Sequence, residues 1–326
     1  MLLDRRSLLA LGAIAVGPAA GRAQPAIPDK AVRLLIGFGT GGGLDQVARL
    51  IAPQLERRTG RHIVIEARSG DTGASVGEML RNGPNDGSYL ALMPSTTVAA
   101  PLGNKAAPFD PLVDILPITL VASFPLALAV SPRIGVETFQ EYVEWLKGGD
   151  AERARLGTAA LSDAFLQLFG KMLGRDLGPE MKMVGFRNAS ALITDLESGR
   201  VPAAVAAVPT LLTGHRGGRL RILLVTGAKR VKVAPKLPTG LELGLQGFEL
   251  REWYGFFAGG KTPEAAVNAW NKHMRDVLDD NGLKGELTQL GLDVETSTPE
   301  EARERIATQM EFWKTRMQTF GVKLKE

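Results

Sequence analysis

The sequence predicts an α/β protein of two domains, each built on a mostly parallel sheet flanked by helices. Apolar strand-like runs alternate with helix-like periodic segments from Val32 onward, which is the pattern of such folds. The chain has 326 residues, and domains usually hold about 100 to 200, so two cores are expected. No glycine- or serine-rich linker separates the halves, so we expect a hinge of two structured crossings, near residues 120–126 and 226–230.

Strands are predicted at the apolar runs and helices at the periodic segments between them. The predicted strands span residues 32–37, 62–66, 88–93, 117–121, 126–131, 154–158, 181–186, 202–208, 220–226 and 253–258. The predicted helices span residues 43–58, 74–82, 137–147, 163–173, 189–198, 263–279, 283–291 and 299–319. Pro117 and Pro125 interrupt the apolar run 115–130, which favours two buried strands separated by a bend over a membrane-spanning helix.

The last helix carries the clearest start signal. Thr298-Pro299 places a hydroxyl at the N-cap and a proline at the first helical position, and Glu301 completes a capping box. Apolar residues then recur every three or four positions, so they are predicted to form one stripe buried in the core. The members of this stripe are Ala302, Ile306, Met310, Trp313, Met317 and Phe320.

The N-terminus has the features of an export signal. Residues 1–23 combine a charged start, an apolar stretch at 8–16 and small residues near their end. The pair Arg5-Arg6 favours the twin-arginine route, although an ordinary Sec signal has a similar pattern. The apolar stretch is shorter than the roughly 20 residues needed to span a membrane. The mature protein is therefore predicted to be soluble and periplasmic.

Composition argues against several classes of function. The formal net charge is +4, and the predicted signal contributes three arginines against one aspartate, so the mature chain is nearly neutral. This bias is too weak to predict nucleic-acid binding. The chain has no cysteine and three histidines, without an acidic cluster at ligand spacing. Neither a disulfide nor a metal site is therefore predicted.

The segment VRLLIGFGTGGGLDQVARL, residues 32–50, carries the strongest local signal. A strand-like run leads into a glycine-rich loop at 37–43, and a helix follows. Glycines allow a tight turn with outward N–H groups, and the helix start adds unpaired N–H groups and a positive dipole end. The loop is therefore predicted to bind an anion. A Walker A site is excluded because Gly43-Leu44 stand where Lys and Ser/Thr are required.

A dinucleotide is one alternative occupant of this loop. Gly37, Gly39 and Gly42 fit G-x-G-x-x-G, and Glu66 ends the next strand near where a ribose-binding carboxylate is expected. An exported NAD(P)-dependent oxidoreductase using the loop Gly37–Gly42 is thus a second hypothesis. No Lys, His or Tyr set for proton transfer can be assembled, which weakens it. A structural turn without a ligand is the third interpretation.

Two other patterns in the sequence bear on chemistry. GASVG around Ser75 fits a nucleophile elbow, but loop residues rather than a strand precede the serine, and no sequence feature pairs His215 or His273 with a carboxylate. Catalysis is therefore not predicted. The turn between Gly157-Thr158 and a helix starting near Ser162-Asp163 is either a second anion cradle or a plain turn capped by Ser162.

Further motifs complete a pattern along the mature chain, from about Pro28 to Val322. The loop residues Phe38, Gly41, Gly42 and Asp45 match a Phe-Pro-x-Gly-Gly-x-x-Asp motif, and PFDPLVDILPITLVASFPLALAVSP follows in order. A third stretch contains 228–230, Pro238-Thr239, Gly244, Gly247-Phe248 and 253–255. In order and spacing these motifs resemble the Bug-type, or TctC, family of substrate-binding proteins of tripartite tricarboxylate transporters.

The resemblance implies a two-domain, type II-like periplasmic binding protein that closes on a small organic carboxylate and delivers it to integral-membrane carrier subunits. It implies domain I at 26–122 plus 228–326, domain II at 123–227, and a monomer that is not an enzyme and needs no metal, cofactor or nucleic acid. The implied ligand-binding residues are Phe38, Gly39, Thr40, Gly41, Gly42, Gly43, Asp45, Ser95, Thr96, Thr97, Gly157, Thr158, Ala159, Ala160, Ser162, Ala207 and Val208.

Departures from the family pattern bear on specificity. Gly39 replaces a proline, which makes the first loop more flexible, and the second-domain loop is shortened to GTAALSD. Where many members carry a polar Asp-Asn pair, this chain has 205–209, VAAVP. This favours an aromatic or otherwise partly apolar carboxylate over citrate or an amino acid. Arg187 is either a solvated charge at a helix start or a partner for a second carboxylate.

Overall fold

The computed structural model describes most of the mature chain: residues 27–37, 39–68, 73–103, 107–159, 163–178 and 181–322. The predicted export signal at 1–23 and the candidate residues Phe38, Ala160 and Ser162 lie outside the described residues. Within the described part, no helix has both the length and the apolar character needed to cross a membrane.

Strands and helices alternate along the chain, as the sequence predicts. The strands are Val32–Ile36 (β1), Ile63–Ala67 (β2), Tyr89–Pro94 (β3), Ile115–Val130 (β4), Arg155–Ala159 (β5), Lys182–Phe186 (β6), Ala203–Ala207 (β7), Arg221–Val225 (β8), Arg251–Gly259 (β9) and Asp293–Val294 (β10). The helices are Gly43–Thr59 (α1), Ala74–Asn82 (α2), Ser95–Ala99 (α3), Phe139–Lys147 (α4), Asp163–Leu177 (α5), Ala189–Glu197 (α6), Val208–Arg216 (α7), Glu264–Leu278 (α8), Asn281–Gln289 (α9) and Pro299–Thr319 (α10). The elements α3, α7 and β10 were not predicted.

The strands pair in the order β2-β1-β3-β9-β4-β7-β5-β6, and β8 and β10 also pair with β4. Strands β1, β2 and β3 are parallel to one another, and so are β5, β6 and β7. Strands β4 and β9, at the centre, run antiparallel to each other and to their neighbours. Each lobe therefore has a mixed sheet, whose parallel ladders lie toward its outer edge, and the predicted α/β class is confirmed.

The apolar run 115–130 forms one strand, so the prediction of two strands and a bend is wrong. The first part of β4 pairs with β9, and its last residues pair with β7 and β8. Pro117 is tolerated because the ladder shifts register beside it, which accommodates a residue without an N–H. Pro125 lies opposite Arg251, where β4 passes from the first lobe into the second.

The second crossing lies later in the chain than the sequence predicts. Val231 packs with the buried residues of β8 and α7, and Phe248 packs with those of α4 and β8, so both belong with the second lobe. The chain rejoins the first-lobe sheet at Arg251, at the start of β9. In place of a return near 226–230 we propose a first lobe of 27–122 plus 251–322 and a second lobe of 123–250.

Helix α10 connects the cores of the two lobes. Ala302 and Ile306 pack beneath the first-lobe sheet, whereas Met317 is buried with α5 of the second lobe. Trp313 meets Phe165 of α5 edge to face, with 5.2 Å between the ring centroids. The predicted stripe is therefore core, but its two ends pack in different lobes. Its remaining members are the half-buried Met310 and Phe320.

Gly77 allows α2 to pack directly on an aromatic ring. A Cβ on Gly77 would lie 2.4 Å from Cδ1 of the buried Phe109. We therefore expect Gly77→Ala to lower the free energy of unfolding by about 1–3 kcal/mol, because the ring has to move. Denaturant titration measures this. On α9, a Cβ on Gly285 meets nothing within 4 Å, so Gly285→Ala is the matched control and should not destabilise; equal losses in both variants would contradict the packing argument.

Candidate functional site

A cleft lies between the two lobes, beside the crossing strands β4 and β9. It holds a cavity of about 120 Å³. The first lobe contributes Gly39, Gly42, Gly43, Leu44, Pro94, Thr96, Glu252 and Tyr254 to its wall. The second lobe, with the adjoining part of β4, contributes Phe124, Leu126, Thr158, Ala159, Phe169, Met183, Ala189, Val205, Ala206, Ala207 and Thr210.

The start of α1 presents backbone N–H groups to the cleft. Its N-cap is Gly42, so no side chain caps the first turn. Gly41, at φ +86°, forms the turn before it, and Asp45 Oδ2 accepts a 2.9 Å hydrogen bond from the Gly41 N–H. The same carboxylate oxygen accepts a 3.0 Å hydrogen bond from Arg49 Nε. Asp45 is buried and does not line the cleft, so it shapes the loop from behind.

The start of α7 faces the cleft from the second lobe. Its N-cap is Ala207, again without a side-chain cap, and Pro209 stands in the first turn. A Cβ on Gly43 would lie 3.1 Å from Pro209 and 3.2 Å from the hydroxyl of Tyr254, so the two helix starts approach closely. Unpaired N–H groups and dipole ends at such positions favour an anion. Pro209, directly after the predicted strand 202–208, is the sequence signal that could have predicted this helix.

The first loop also touches α6 across the mouth of the cleft. Ser190 Oγ donates a 3.2 Å hydrogen bond to the Thr40 carbonyl. A Cβ on Gly42 would lie 3.4 Å from Cβ of Ala189, an ordinary contact distance. The lobes therefore meet at this edge, which limits the access of water to the helix starts beneath it.

The wall opposite α1 is mainly apolar. Leu126, Phe169, Met183 and Val205 supply its larger side chains. Phe124 lies at the crossing, with its ring centroid 4.4 Å from that of Tyr254. The cleft thus combines a polar end with an apolar body, the usual composition of a small-molecule site.

Glu252 places a carboxyl group in the wall of the cleft. It is only 2% exposed, its Oε2 accepts a hydrogen bond from Ser95 Oγ, and its Oε1 has no hydrogen-bond partner in the described part of the chain. Burial raises its pKa to about 7, and the hydrogen bond from Ser95 opposes that shift. Sequence reasoning missed Glu252; a charged residue inside the apolar run of REWYGFFAG was the available signal.

The structure separates the predicted residues into two groups. Seven of those described line the cleft: Gly39, Gly42, Gly43, Thr96, Thr158, Ala159 and Ala207. The other described ones lie behind its wall or beside it: Thr40, Gly41, Asp45, Ser95, Thr97, Gly157 and Val208. Gly157, for example, is buried under Leu192, whose Cδ1 would be 2.7 Å from an added Cβ. Ser95 does not line the cleft itself, but its hydroxyl donates a hydrogen bond to Glu252, which does.

Glu66, Ser75, His215 and Arg187 do not line the cleft. Glu66 is paired with Arg33 and Arg68 at the end of β2, and Ser75 lies within α2. His215 Nδ1 accepts a 3.2 Å hydrogen bond from the Ile222 N–H. In the described residues, no group of three or more His, Cys, Asp or Glu side chains is arranged to hold a metal ion. The remaining candidate, Arg187, is exposed.

Comparisons with known proteins identify the family and the fold. Residues 47–322 match the model of the tripartite tricarboxylate transporter family receptor. BugT of Bordetella pertussis is 25% identical over 312 residues, which cover 95% of each chain. The structure of the periplasmic binding protein BugD is similar with a TM-score of 0.84 and 26% identity, covering 91% of this chain and 99% of BugD. An R. palustris protein solved with adipate has a TM-score of 0.85 and 25% identity, covering 90% of this chain and 98% of its own.

The burial of Glu252 makes stability depend on pH. Its pKa is about 7 in the fold against 4.5 ordinarily, so its contribution to stability is full below 4.5 and is lost as the pH rises to about 7. Relative to Glu252→Gln, the wild type should therefore lose roughly 2–3 kcal/mol between pH 5 and 8. Denaturant titrations at each pH measure this. Glu286→Gln, at an exposed glutamate of α9, is the control, and equal pH profiles for all three proteins would contradict the assignment.

Proposed function

The chain belongs to the tripartite tricarboxylate transporter receptor family, and from this premise we propose that it captures a small organic carboxylate between its lobes. The resemblance seen in the sequence is confirmed, as is the periplasmic-binding-protein fold. It is thus a solute-binding protein of the TctC/Bug type. We further propose that it is exported to the periplasm, acts as a monomer without catalysis and delivers its ligand to integral-membrane carrier subunits.

The observation that carries this proposal is the pair of uncapped helix starts, one in each lobe. The ligand carboxylate lies between Gly42-Gly43 of α1 and Ala207 at the start of α7, where backbone N–H groups have no side-chain cap. Each helix end contributes up to about 2 kcal/mol to a bound negative charge. Two together amount to roughly millimolar affinity, so direct hydrogen bonds and closure of the cleft have to supply the rest. Thr96, Thr158, Thr210 and Tyr254 supply the hydroxyl groups of the wall.

The apolar part of the wall indicates the kind of molecule that carries this carboxylate. Phe124, Phe169, Met183 and Val205 surround the space beyond the helix starts. Such a wall favours an aromatic ring or a short hydrocarbon chain. The similarity to a protein solved with adipate, at 25% identity, supports a carboxylate with an apolar body. No observation favours the NAD(P)-dependent alternative, since Glu66 is held by two arginines away from the cleft.

A ligand screen tests the proposal directly. Benzoate and adipate should each raise the melting temperature of the mature protein, and calorimetric titration should give a single site. Benzamide, which has the shape of benzoate without its charge, is the matched control and should bind at least tenfold more weakly, since about 1.4 kcal/mol corresponds to that factor. A response to NAD with none to any carboxylate would contradict the proposal.

A glycine substitution tests where the carboxylate lies. Gly42→Asp fits sterically, because an added Cβ makes only a 3.4 Å contact with Ala189, and it places a negative charge at the start of α1. We expect affinity for the carboxylates found in the screen to fall more than tenfold with the fold retained, because like charges repel in the cleft. Calorimetry and circular dichroism measure the two effects.

Gly285→Asp on α9 is the control for the change of residue type, since its Cβ meets nothing within 4 Å. It should bind as the wild type does. Unchanged affinity in Gly42→Asp would place the ligand elsewhere.

A further inference from the structure

Glu252 is the only carboxyl among the described residues that line the cleft, and it is built into the cleft floor. It stands on β9 opposite Phe124 of β4. Ser95 Oγ accepts a 3.3 Å hydrogen bond from the Trp253 N–H, so its single O–H is donated to Glu252 Oε2. Glu252 lines the cleft, and its buried Oε1 has no hydrogen-bond partner in this part of the chain, so this oxygen is the one available to pair with a molecule in the cleft.

The elements packed around Glu252 offer it no cation. On its own strand, Arg251 is turned to the other face, where it binds Asp293 at 2.6 Å and Ser123 at 3.1 Å. On α1, Asp45 is paired with Arg49, and neither lines the cleft. On the remaining elements around the described cleft wall, the lining side chains are uncharged: Pro94, Thr96, Phe124, Leu126, Thr158, Ala159, Phe169, Met183, Ala189, Val205, Ala206, Ala207 and Thr210. Tyr254 is the other ionisable side chain of that wall.

Two carboxylates enclosed in such a cleft cannot both be ionised at low cost. The helix starts supply about half a positive charge each, enough to favour one anion but not two. Resting on the function proposed above, we propose that Glu252 binds the ligand in its protonated form, donating the hydrogen of Oε1 to a carboxylate oxygen of the ligand. Capture from neutral or alkaline solution then takes up one proton from solvent, which is bound at Oε1. Glu252 is thereby a specificity-determining residue for ionised carboxylates.

The titration of Glu252 supports this arrangement. Burial raises its pKa to about 7, so the free protein already holds the carboxyl partly protonated near neutral pH. Tyr254 does not compete as an acid, since burial and the nearby Glu252 raise the pKa of its hydroxyl. A bound anion raises the pKa of Glu252 further, because the charged form then faces a like charge.

Calorimetric titration of benzoate and adipate between about pH 6 and 8.5 tests the proposal. In the wild type, affinity should fall by about tenfold for each pH unit above 7, as expected when one group takes up a proton on binding. Buffers of different ionisation enthalpy should report the uptake of about one proton at the upper end. This wild-type measurement stands whether or not a variant folds.

Two variants separate Glu252 from the rest of the molecule. Glu252→Gln carries a permanent N–H donor, so its affinity should not change with pH and should exceed that of the wild type at pH 8.5. Glu295→Gln is the matched control: burial also raises the pKa of Glu295, and its Oε1 has no partner in the described residues, but it does not line the cleft. It should follow the wild-type profile.

Three results would overturn the proposal: affinity independent of pH, affinity that rises with pH, or a Glu252→Gln variant that keeps the wild-type slope. A rise with pH would mean that the ionised carboxylate accepts a donor from the ligand. If neither benzoate nor adipate binds any of the three proteins at any pH, the proposed function itself fails, and this outcome is distinct from the other three.

Discussion

The antiparallel ladder between β4 and β9 is the constraint on which the other features depend. It extends from Ile115 opposite Gly259 to Pro125 opposite Arg251, so both crossings between the lobes lie side by side. The hydroxyl of Thr226 links the two chain segments at the end of this ladder. It accepts a 2.8 Å hydrogen bond from the Leu126 N–H and donates a 2.6 Å hydrogen bond to the Leu250 carbonyl. The cleft floor is therefore sheet rather than loop, and groups that stand on it keep their positions when loops move.

Sequence reasoning found the features that depend on local order and missed those that depend on pairing. The loop before α1 was predictable because glycines, strand and helix follow one another within twenty residues. Helix α7 is nine residues long and begins at Val208, inside the predicted strand 202–208, so only Pro209 marked it. Glu252 was missed because its place in the site depends on its hydrogen bond with Ser95, which is 157 positions away in the chain. The return crossing that we propose at Arg251 was not predicted because 228–250 has few regular elements and packs by scattered apolar side chains.

The dinucleotide-like glycine pattern has a packing explanation. A Cβ on Gly37 would lie 2.7 Å from Cα of Gly73, so the backbone after β1 and the backbone before α2 are in direct contact. Gly73, at φ +79°, also needs the left-handed conformation. Gly37 of G-x-G-x-x-G and Gly73 of GASVG are therefore needed for the same close backbone contact. Gly42, by contrast, forms the start of α1. The G-x-G-x-x-G and GASVG motifs, which each resemble a chemical motif, are thus explained in part by the packing of Gly37 against Gly73.

Helix α10 limits how the lobes can separate. Trp313 is fully buried against Phe165 and Phe169 of α5, with 5.2 and 5.9 Å between ring centroids. Exposing such a side chain costs about 3 kcal/mol or more, which is comparable to what two helix ends gain from a carboxylate. An opening that broke this contact would consume most of the energy available for closing on a ligand. An opening that preserved the α5–α10 contact would instead separate the loop at Thr40 from α6, where the described residues are joined by the 3.2 Å hydrogen bond from Ser190 Oγ to the Thr40 carbonyl.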